Sequence, residues 1–307
     1  MYKIKLQAFH FYFPSLLFLL SCLAFSCSDD EPAKWSTGGN GGTGNGSSNA
    51  AIGKYTSRIE VPALEEGNTF IQHSTLVGTD SVMTYCLEYN PTKGHSRWVA
   101  FRFDATTRKQ ATSRNDSFAD DPALPTAWRI GSNGFGSGYD RGHLCASADR
   151  LYSVGANVQT FYMTNMSPQL SRFNQNYWVV LEAQVQKLGR SASFADTLYV
   201  VKGGTIDDDH VRQYLTRPNG LKVAVPQYYF MALLSIKSGT YESVGFWMEH
   251  KDYGYSGNNK PSPEEMATHM VTIDRLEELT GIDFFHNLPD KVETAVEDHY
   301  LRSRWIN

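Results

Sequence analysis

The sequence has few cysteines, no excess of positive charge and no internal repeat. Four cysteines among 307 residues, two of which lie in an apolar leader, exclude a small disulfide-stabilised scaffold. A formal charge of −4 at pH 7 argues against bulk electrostatic attraction to a polyanion. Any anionic ligand must instead be held by a local basic cluster or by a metal. No repeat at solenoid spacing is present, which excludes a stacked repeat architecture.

The rest of the composition is that of a folded protein. Hydrophobic residues make up 41% of the chain, aromatic residues 13% and charged residues 20%. These values exclude a disordered chain, a collagen-like fibre and a coiled coil. The length suffices for one large domain or two small ones.

Residues 1–27 have the pattern of a secretory signal. Two lysines near the N-terminus precede the apolar runs 16–20 and 23–25. This apolar core is too short for a comfortable membrane-spanning helix, which favours an export signal. Because the chain turns abruptly polar after Cys27, the end of the leader resembles a bacterial lipoprotein lipobox.

Cys27 is the predicted acylated residue, and two alternatives remain. Cys22 also follows a fitting tripeptide, but cleavage there would leave three apolar residues on the mature chain; the other alternative is an ordinary cleaved signal. Cleavage before Cys27 removes two lysines and leaves a formal charge of −6. The acidic run 28–31 resembles the export tag of some Gram-negative surface lipoproteins. We therefore expect an exported protein, lipid-anchored to the outer membrane or cell surface of a Gram-negative bacterium.

A flexible tether follows the leader and precedes one folded domain. Residues 36–50 read STGGNGGTGNGSSNA and contain no apolar side chain larger than alanine. Such a segment cannot offset the entropy cost of ordering. We assign residues 28–54 to the tether and residues 55–307 to the domain, whose length of roughly 250 residues suits a single α+β unit.

Residue periodicity predicts the elements of this domain. The predicted strands are residues 81–90, 98–104, 161–164, 197–203 and 224–235. The predicted helices are residues 175–188, ending at Gly189; a helix starting with proline after Ser262; and residues 273–280, ending at Gly281. Residues 105–138 form a long loop, which a compact domain keeps mainly for function. The pattern predicts an α+β fold with a mainly antiparallel central sheet flanked by helices.

Three polar residues stand out for their chemistry. His143 follows a glycine-rich stretch and has the residue type of a general base. Asn174 lies at the start of a predicted helix, and Glu182 follows eight residues later. Since helical side chains lean towards the N-terminus, both can serve one site at that end, Glu182 through water. An amide oxygen and a carboxylate suit Mg²⁺ or Mn²⁺ better than zinc.

These motifs resemble the DNA/RNA non-specific endonuclease family, the ββα-metal nucleases that include mitochondrial endonuclease G. The resemblance rests on Asp140-Arg141-Gly142-His143, on the segment from Thr164-Asn165 to Pro168-Gln169, and on the segment from Asn174 to Glu182. It extends from about Tyr85 to Phe285 and covers neither the leader nor the tether. It implies a ββα-metal element on one face of the sheet, and hydrolysis of phosphodiester bonds in DNA and RNA without sequence specificity.

The resemblance also implies a role for individual residues. His143 matches the general base that activates the attacking water, and Asn174 matches the single direct protein ligand of a Mg²⁺, for which Mn²⁺ can substitute. Glu182 matches the carboxylate that holds a water of the metal. The remaining matches are Arg141 and Arg114, placed near phosphate, and Asn165, which supports the site through the histidine.

Some alternatives and one further expectation follow from the residues. A non-catalytic surface lipoprotein, binding nucleic acid or another ligand through the same fold, is the rival interpretation. The acidic run Asp207–Asp209 with His210 resembles a metal cluster but is expected to be a solvated loop. Cys86 and Cys145 remain in the exported domain, and we favour a disulfide between them over two buried thiols. The sequence leaves DNA versus RNA preference, oligomeric state and protein partners open.

Overall fold

The computed structural model describes residues 56–136 and 138–306. The predicted leader (1–27) and tether (28–54) lie outside the described residues. Seven strands form one sheet in the order β1-β2-β3-β6-β9-β10-β11, and two separate pairs, β4-β5 and β7-β8, complete the strand set. The strands are β1 Thr69–Val77, β2 Asp80–Asn90, β3 His95–Phe103, β4 Tyr139–His143, β5 Met166–Leu170, β6 Thr197–Gly204, β7 Val211–Thr216, β8 Lys222–Pro226, β9 Tyr228–Lys237, β10 Thr240–Glu249 and β11 Met270–Val271.

Short helices surround the sheet. The α-helices are α1 Val154–Gln159, α2 Ser171–Phe173, α3 Val179–Arg190, α4 Pro263–Ala267, α5 Ile273–Thr280, α6 Asp290–Glu297 and α7 Arg302–Trp305. A π-helix, Asn174–Trp178, joins α2 to α3. The 3-10 helices are Thr126–Trp128, Ser147–Arg150, Met163–Asn165 and Asp208–His210. No helix among residues 56–136 and 138–306 is long and apolar enough to cross a membrane.

The sheet separates two apolar cores. Alternate side chains of β2 point to opposite faces, so Tyr85 and Leu87 enter one core while Cys86 enters the other. Helix α3 covers the first face with an apolar stripe that includes Leu181 and Val185. Helices α5 and α6 cover the second face. Every pairing between the named strands is antiparallel, which confirms the predicted α+β class with helices on both faces.

Most predicted elements are present, with three differences. Residues 161–164 form turns and the start of a 3-10 helix, and the strand begins at Met166 instead. The predicted strand 224–235 is two strands, β8 and β9, because the chain turns at Gln227. The helix expected to stop at Gly189 continues to Arg190, and Gly189 instead packs against the Phe103 ring, where a side chain would collide.

The predicted disulfide is wrong. Cys86 and Cys145 are both free and buried. Cys86 packs in the core behind the sheet, whereas Cys145 packs in the core under α3. A bridge would have to cross the sheet, so the two thiols stay apart in the fold and act as small apolar side chains.

A buried carboxylate is one of the anchors of the long loop. Asp121 accepts hydrogen bonds from the Thr164 hydroxyl and, at 2.8 Å, from Nε2 of His73 on β1. Burial alone would raise the pKa of Asp121, but the hydrogen bonds from His73 and Thr164 outweigh it and lower that pKa. This anchor fixes the loop that carries Arg114 and Phe118 beside the site described next.

Candidate active site

A two-stranded element carries the central motif. Strand β4 pairs antiparallel with β5, with Gly142 opposite Ser167. A side chain at Gly142 would collide with the Gln169 side chain, so only glycine allows this close pairing. Because strand side chains alternate, Asp140 points to one side of the element and Arg141 and His143 point to the other.

His143 lies in an aromatic enclosure. Its ring centroid is 5.0 Å from that of Phe161 and 5.9 Å from that of Phe118, and only 9% of the residue is exposed. Burial, together with the positive charges of Arg114, Lys202 and Arg141, lowers the pKa of His143 to about 3. The imidazole is therefore neutral near pH 7. Neutrality is the protonation state that a general base requires.

Two arginines share the same aromatic pair. The Arg141 guanidinium lies 3.6 Å from the Phe118 ring centroid and donates to the Ser132 carbonyl at 2.8 Å. The Arg114 guanidinium lies 4.9 Å from the Phe161 ring centroid. Cation–π contacts of this kind hold the guanidinium planes in place while leaving donors available. The arrangement makes a local basic cluster beside His143 in a chain of net negative charge.

Asn174 is oriented by the aspartate of the central motif. Its Nδ2 donates to Oδ2 of Asp140 at 2.9 Å, and the same carboxylate accepts hydrogen bonds from Gln175 and Ser171. Among the described residues no group donates a hydrogen bond to Oδ1 of Asn174. This oxygen is therefore the atom of the amide that is available to a metal ion. Asn174 opens the π-helix, a local widening that recurs at functional sites.

Glu182 belongs to a buried charge network on the next turns. Its Oε1 accepts a hydrogen bond from Nε1 of Trp178 at 3.1 Å and lies 3.7 Å from Nζ of Lys202. Lys202 also pairs with Asp149 at 2.9 Å. Burial raises the pKa of Glu182 to about 7, although the lysine works against that rise. A cation beside Glu182 would favour its charged form further.

Asn165 supports the site through the backbone that follows His143. Its side-chain amide accepts from the Cys145 N–H at 2.8 Å and donates to the Cys145 and Thr160 carbonyls. The Asn165 carbonyl accepts from the Leu144 N–H at 3.0 Å. The residue therefore fixes the strand end that presents His143 and makes no hydrogen bond to the imidazole.

The structure thus joins the predicted residues into two groups. Arg114, Arg141 and His143 meet around the aromatic pair, whereas Asn174 and Glu182 lie along one helix. Lys202 connects the groups, because its charge acts on both His143 and Glu182. The run around Asp208 forms an exposed turn, as predicted.

Sequence reasoning missed several contributors. Lys202 has a detectable signal, since it is the one charged residue in the apolar strand β6 and such a residue needs a buried partner. Asp140 was recognised only as part of the motif, although it orients Asn174. Phe118 and Phe161 carry no sequence signal, because only the folded chain brings them against His143.

The donor set fits a hard divalent cation. Asp140 accepts a hydrogen bond from the Asn174 amide nitrogen, which leaves the amide oxygen for a metal. Glu182 adds a carboxylate further along the same helical segment. Neither thiol nor imidazole nitrogen joins this pair. Mg²⁺ prefers oxygen ligands and few protein contacts because it keeps several waters. These features define a ββα element of the metal-nuclease type.

Comparison with known proteins identifies the family. A profile of the DNA/RNA non-specific endonuclease family matches residues 66–291. A nuclease from Nostoc sp. (strain PCC 7120) is 32% identical over 264 residues, which cover 80% of this chain and 92% of that protein. The chain therefore belongs to the DNA/RNA non-specific endonuclease family and is a nuclease of this metal-dependent group.

Two further proteins are similar to this chain, one in sequence and one in fold. Nuclease 1, mitochondrial, from Schizosaccharomyces pombe is 29% identical over 61% of this chain, but the match spans only 58% of that protein. A chain in the crystal structure of the EndoG/EndoGI complex aligns with a TM-score of 0.57 at 22% identity, covering 77% of this chain and 93% of that one. The second likeness extends to the fold alone.

Proposed function

We propose that this nuclease hydrolyses phosphodiester bonds of both DNA and RNA, with His143 as general base and Asn174 holding a Mg²⁺. One observation carries the proposal: strand β4 carries a neutral, buried imidazole at His143 and, three residues earlier, the carboxylate of Asp140 that orients the Asn174 amide. A base and a hard-metal ligand are the two parts that hydrolysis of a phosphodiester requires.

His143 takes the proton from the attacking water. Its Nε2 is buried without a hydrogen-bond partner among the described residues, so we assign the proton transfer to Nδ1. The enclosure by Phe118 and Phe161 keeps the imidazole neutral and fixes its plane. Asn165 fixes the backbone that follows the ring.

Arg141 and Arg114 bind phosphate oxygens through their guanidinium forks. Asn174, and Glu182 through water, hold the Mg²⁺ (or Mn²⁺), and Lys202 and Asp149 keep Glu182 in place. When bound, the ion would neutralise phosphate charge and stabilise the departing alkoxide. None of these groups reads base edges, so we expect no sequence specificity.

Digestion assays test this proposal. Supercoiled plasmid and a structured RNA are incubated with the protein and Mg²⁺, with and without chelator and over a salt series. We expect both substrates to be cut without a fixed pattern, no cleavage in chelator and slower cleavage at high salt, because phosphate contacts are salt-sensitive. Retained binding without cleavage would favour the rival, a non-catalytic surface lipoprotein. A fixed cut pattern on unrelated duplexes would contradict the lack of specificity.

We further propose that the nuclease is exported and acylated at Cys27. The lipobox-like end of the leader and the acidic run 28–31 support this proposal, and the glycine-rich tether would separate the domain from the membrane surface. Membrane fractionation of Cys27→Ser and Cys22→Ser expressed in a Gram-negative host tests it. We expect only Cys27→Ser to release the protein from the membrane; release by Cys22→Ser alone would move the lipid to Cys22.

A further inference from the structure

A second group of carboxylates lies on the opposite face of the sheet from the candidate active site. Asp274 and Glu277 are three residues apart on α5, so they share one side of that helix. Glu297 is the last residue of α6. One carboxylate oxygen from each of the three residues lies within 4.8 Å of the others.

The most buried member of this group has an unsatisfied oxygen. Glu297 is only 8% exposed, and its Oε1 is buried with no hydrogen-bond partner in the described structure. The largest charge effects on it come from Glu277, Glu293, Asp274 and Asp283, all of which are acidic. Among the described residues, no lysine or arginine pairs with any of the three clustered carboxylates. A buried carboxylate without a partner is costly, so this arrangement calls for a cation.

We propose that Asp274, Glu277 and Glu297 bind a calcium-type divalent cation that joins α5 to α6. Ca²⁺ takes oxygen ligands at ~2.3–2.6 Å in flexible geometry and accepts several carboxylates at once. The three oxygens lie close enough together to contact one ion. Mg²⁺ fits less well, because it dehydrates reluctantly and demands stricter geometry than a cluster of three carboxylates offers.

The surrounding structure holds the three ligands in place. Ile273, Leu276 and Val296 pack into the core behind the sheet and fix the inner faces of both helices. The Glu277 carboxylate accepts the Phe284 N–H at 2.7 Å, which orients it. Asp274 is exposed and leaves the cluster open to solvent, so an ion can enter from that side. The proposed role is to tie the C-terminal helices together, with no part in cleavage.

Calorimetry of the full chain tests this site separately from the catalytic one. The protein is freed of metal with chelator, and its melting temperature is measured with and without CaCl₂ at pH 7.5. At calcium about 100-fold above its Kd, we expect the wild-type melting temperature to rise by about 5–10 °C. Glu297→Gln should lose this rise and keep Mg²⁺-dependent cleavage. Asn174→Ala, altered only in the catalytic site, should keep the rise.

Three results would overturn the proposal: no calcium-dependent rise in the wild type, an equal rise in Glu297→Gln, or a rise lost in Asn174→Ala alone. The last of these would place the calcium at the catalytic site. If Glu297→Gln fails to fold, Asp274→Asn at the exposed edge replaces it. The heat of calcium binding to that variant is then measured by titration and compared with the wild type. An unchanged heat of calcium binding in Asp274→Asn counts against the site.

Discussion

Two groups of carboxylates, one on each face of the sheet, differ in how their negative charge is balanced. Under α3, Asp149 and Glu182 share the buried ammonium of Lys202. Behind the sheet, Glu277 and Glu297 have no cation among the described residues. The comparison shows that the chain carries its own counter-charge where it positions a candidate metal ligand. For the carboxylates of α5 and α6 it leaves that charge to be supplied from solution, whereas Glu60 and Glu88 elsewhere are paired with arginines.

The largest expected difference between the two faces is in their effect on cleavage. We expect His143→Ala to reduce turnover by ~10²–10⁴-fold, because no other group in the aromatic enclosure can accept the proton. Plasmid digestion measures the loss, with circular dichroism to verify folding. His210→Ala, on the exposed turn, is the matched control and should cleave normally. Near-normal turnover by folded His143→Ala would remove the residue from its role.

Removing Lys202 should make the first face resemble the second. Lys202→Met leaves Asp149 and Glu182 buried without the ammonium they share, and breaking such a pair costs ~3–5 kcal/mol of unfolding free energy. Lys93→Met is the control, because its partner Asp208 is exposed and surface pairs contribute only about 0–1 kcal/mol. Urea denaturation of both variants measures the difference. Equal losses in the two variants would mean that the buried network does not depend on Lys202.

The catalytic metal should depend on the two helix ligands unequally. We expect Asn174→Ala to raise the Mg²⁺ concentration needed for half-maximal cleavage more than Glu182→Ala does, with both effects within the ~10–100-fold typical of metal-site mutations. A lone direct ligand has no protein substitute, whereas solvent partly replaces a contact through water. A Mg²⁺ titration of cleavage decides the order. An unchanged titration in Asn174→Ala would contradict the assignment.

The smallest expected effect is a pH dependence of stability from the second face. Burial and the surrounding carboxylates raise the pKa of Glu297 to about 8, above the ordinary value of 4.5. A folded state with the higher pKa binds the proton more tightly, so this stabilisation is present at low pH and is lost as pH rises from about 4.5 to 8. In chelator, the wild type should therefore lose more stability over this range than Glu297→Gln. Equal losses of unfolding free energy in the wild type and Glu297→Gln, measured by urea denaturation, would show that Glu297 does not carry an uncompensated charge.

Much of the fold followed from local patterns. The helix 273–280 ends at Gly281, as the pattern predicted, and Gly281 has the positive φ of a left-handed cap. The Thr272 side chain caps its start. The helix after Ser262 also begins as predicted, with the Ser262 side chain accepting from the Glu265 N–H. These boundaries were predictable because caps depend on residues within one turn of the chain.

Predictions that depended on distant contacts succeeded less often. The residues 161–164 have strand-forming side chains but form only an isolated bridge, between Tyr162 and Ala119, and the chain then enters a 3-10 helix before β5. The disulfide failed for a related reason, because spacing along the chain does not reveal on which face of a sheet a side chain lies. The strand at 224–235 was split by a turn that its apolar pattern conceals.

The sequence by itself determined the class of protein and the identities of the candidate catalytic residues. His143, Asn174 and Glu182 stand at fixed spacing within short motifs, and local capping set several helix ends. Only the tertiary structure decided how those residues are tuned. The enclosure of His143 by Phe118 and Phe161, the pairing of Lys202 with Asp149 and the crowding of Glu297 by carboxylates join residues far apart in the chain. Burial and charge act through space, and the distances between these residues are fixed only when the sheet assembles.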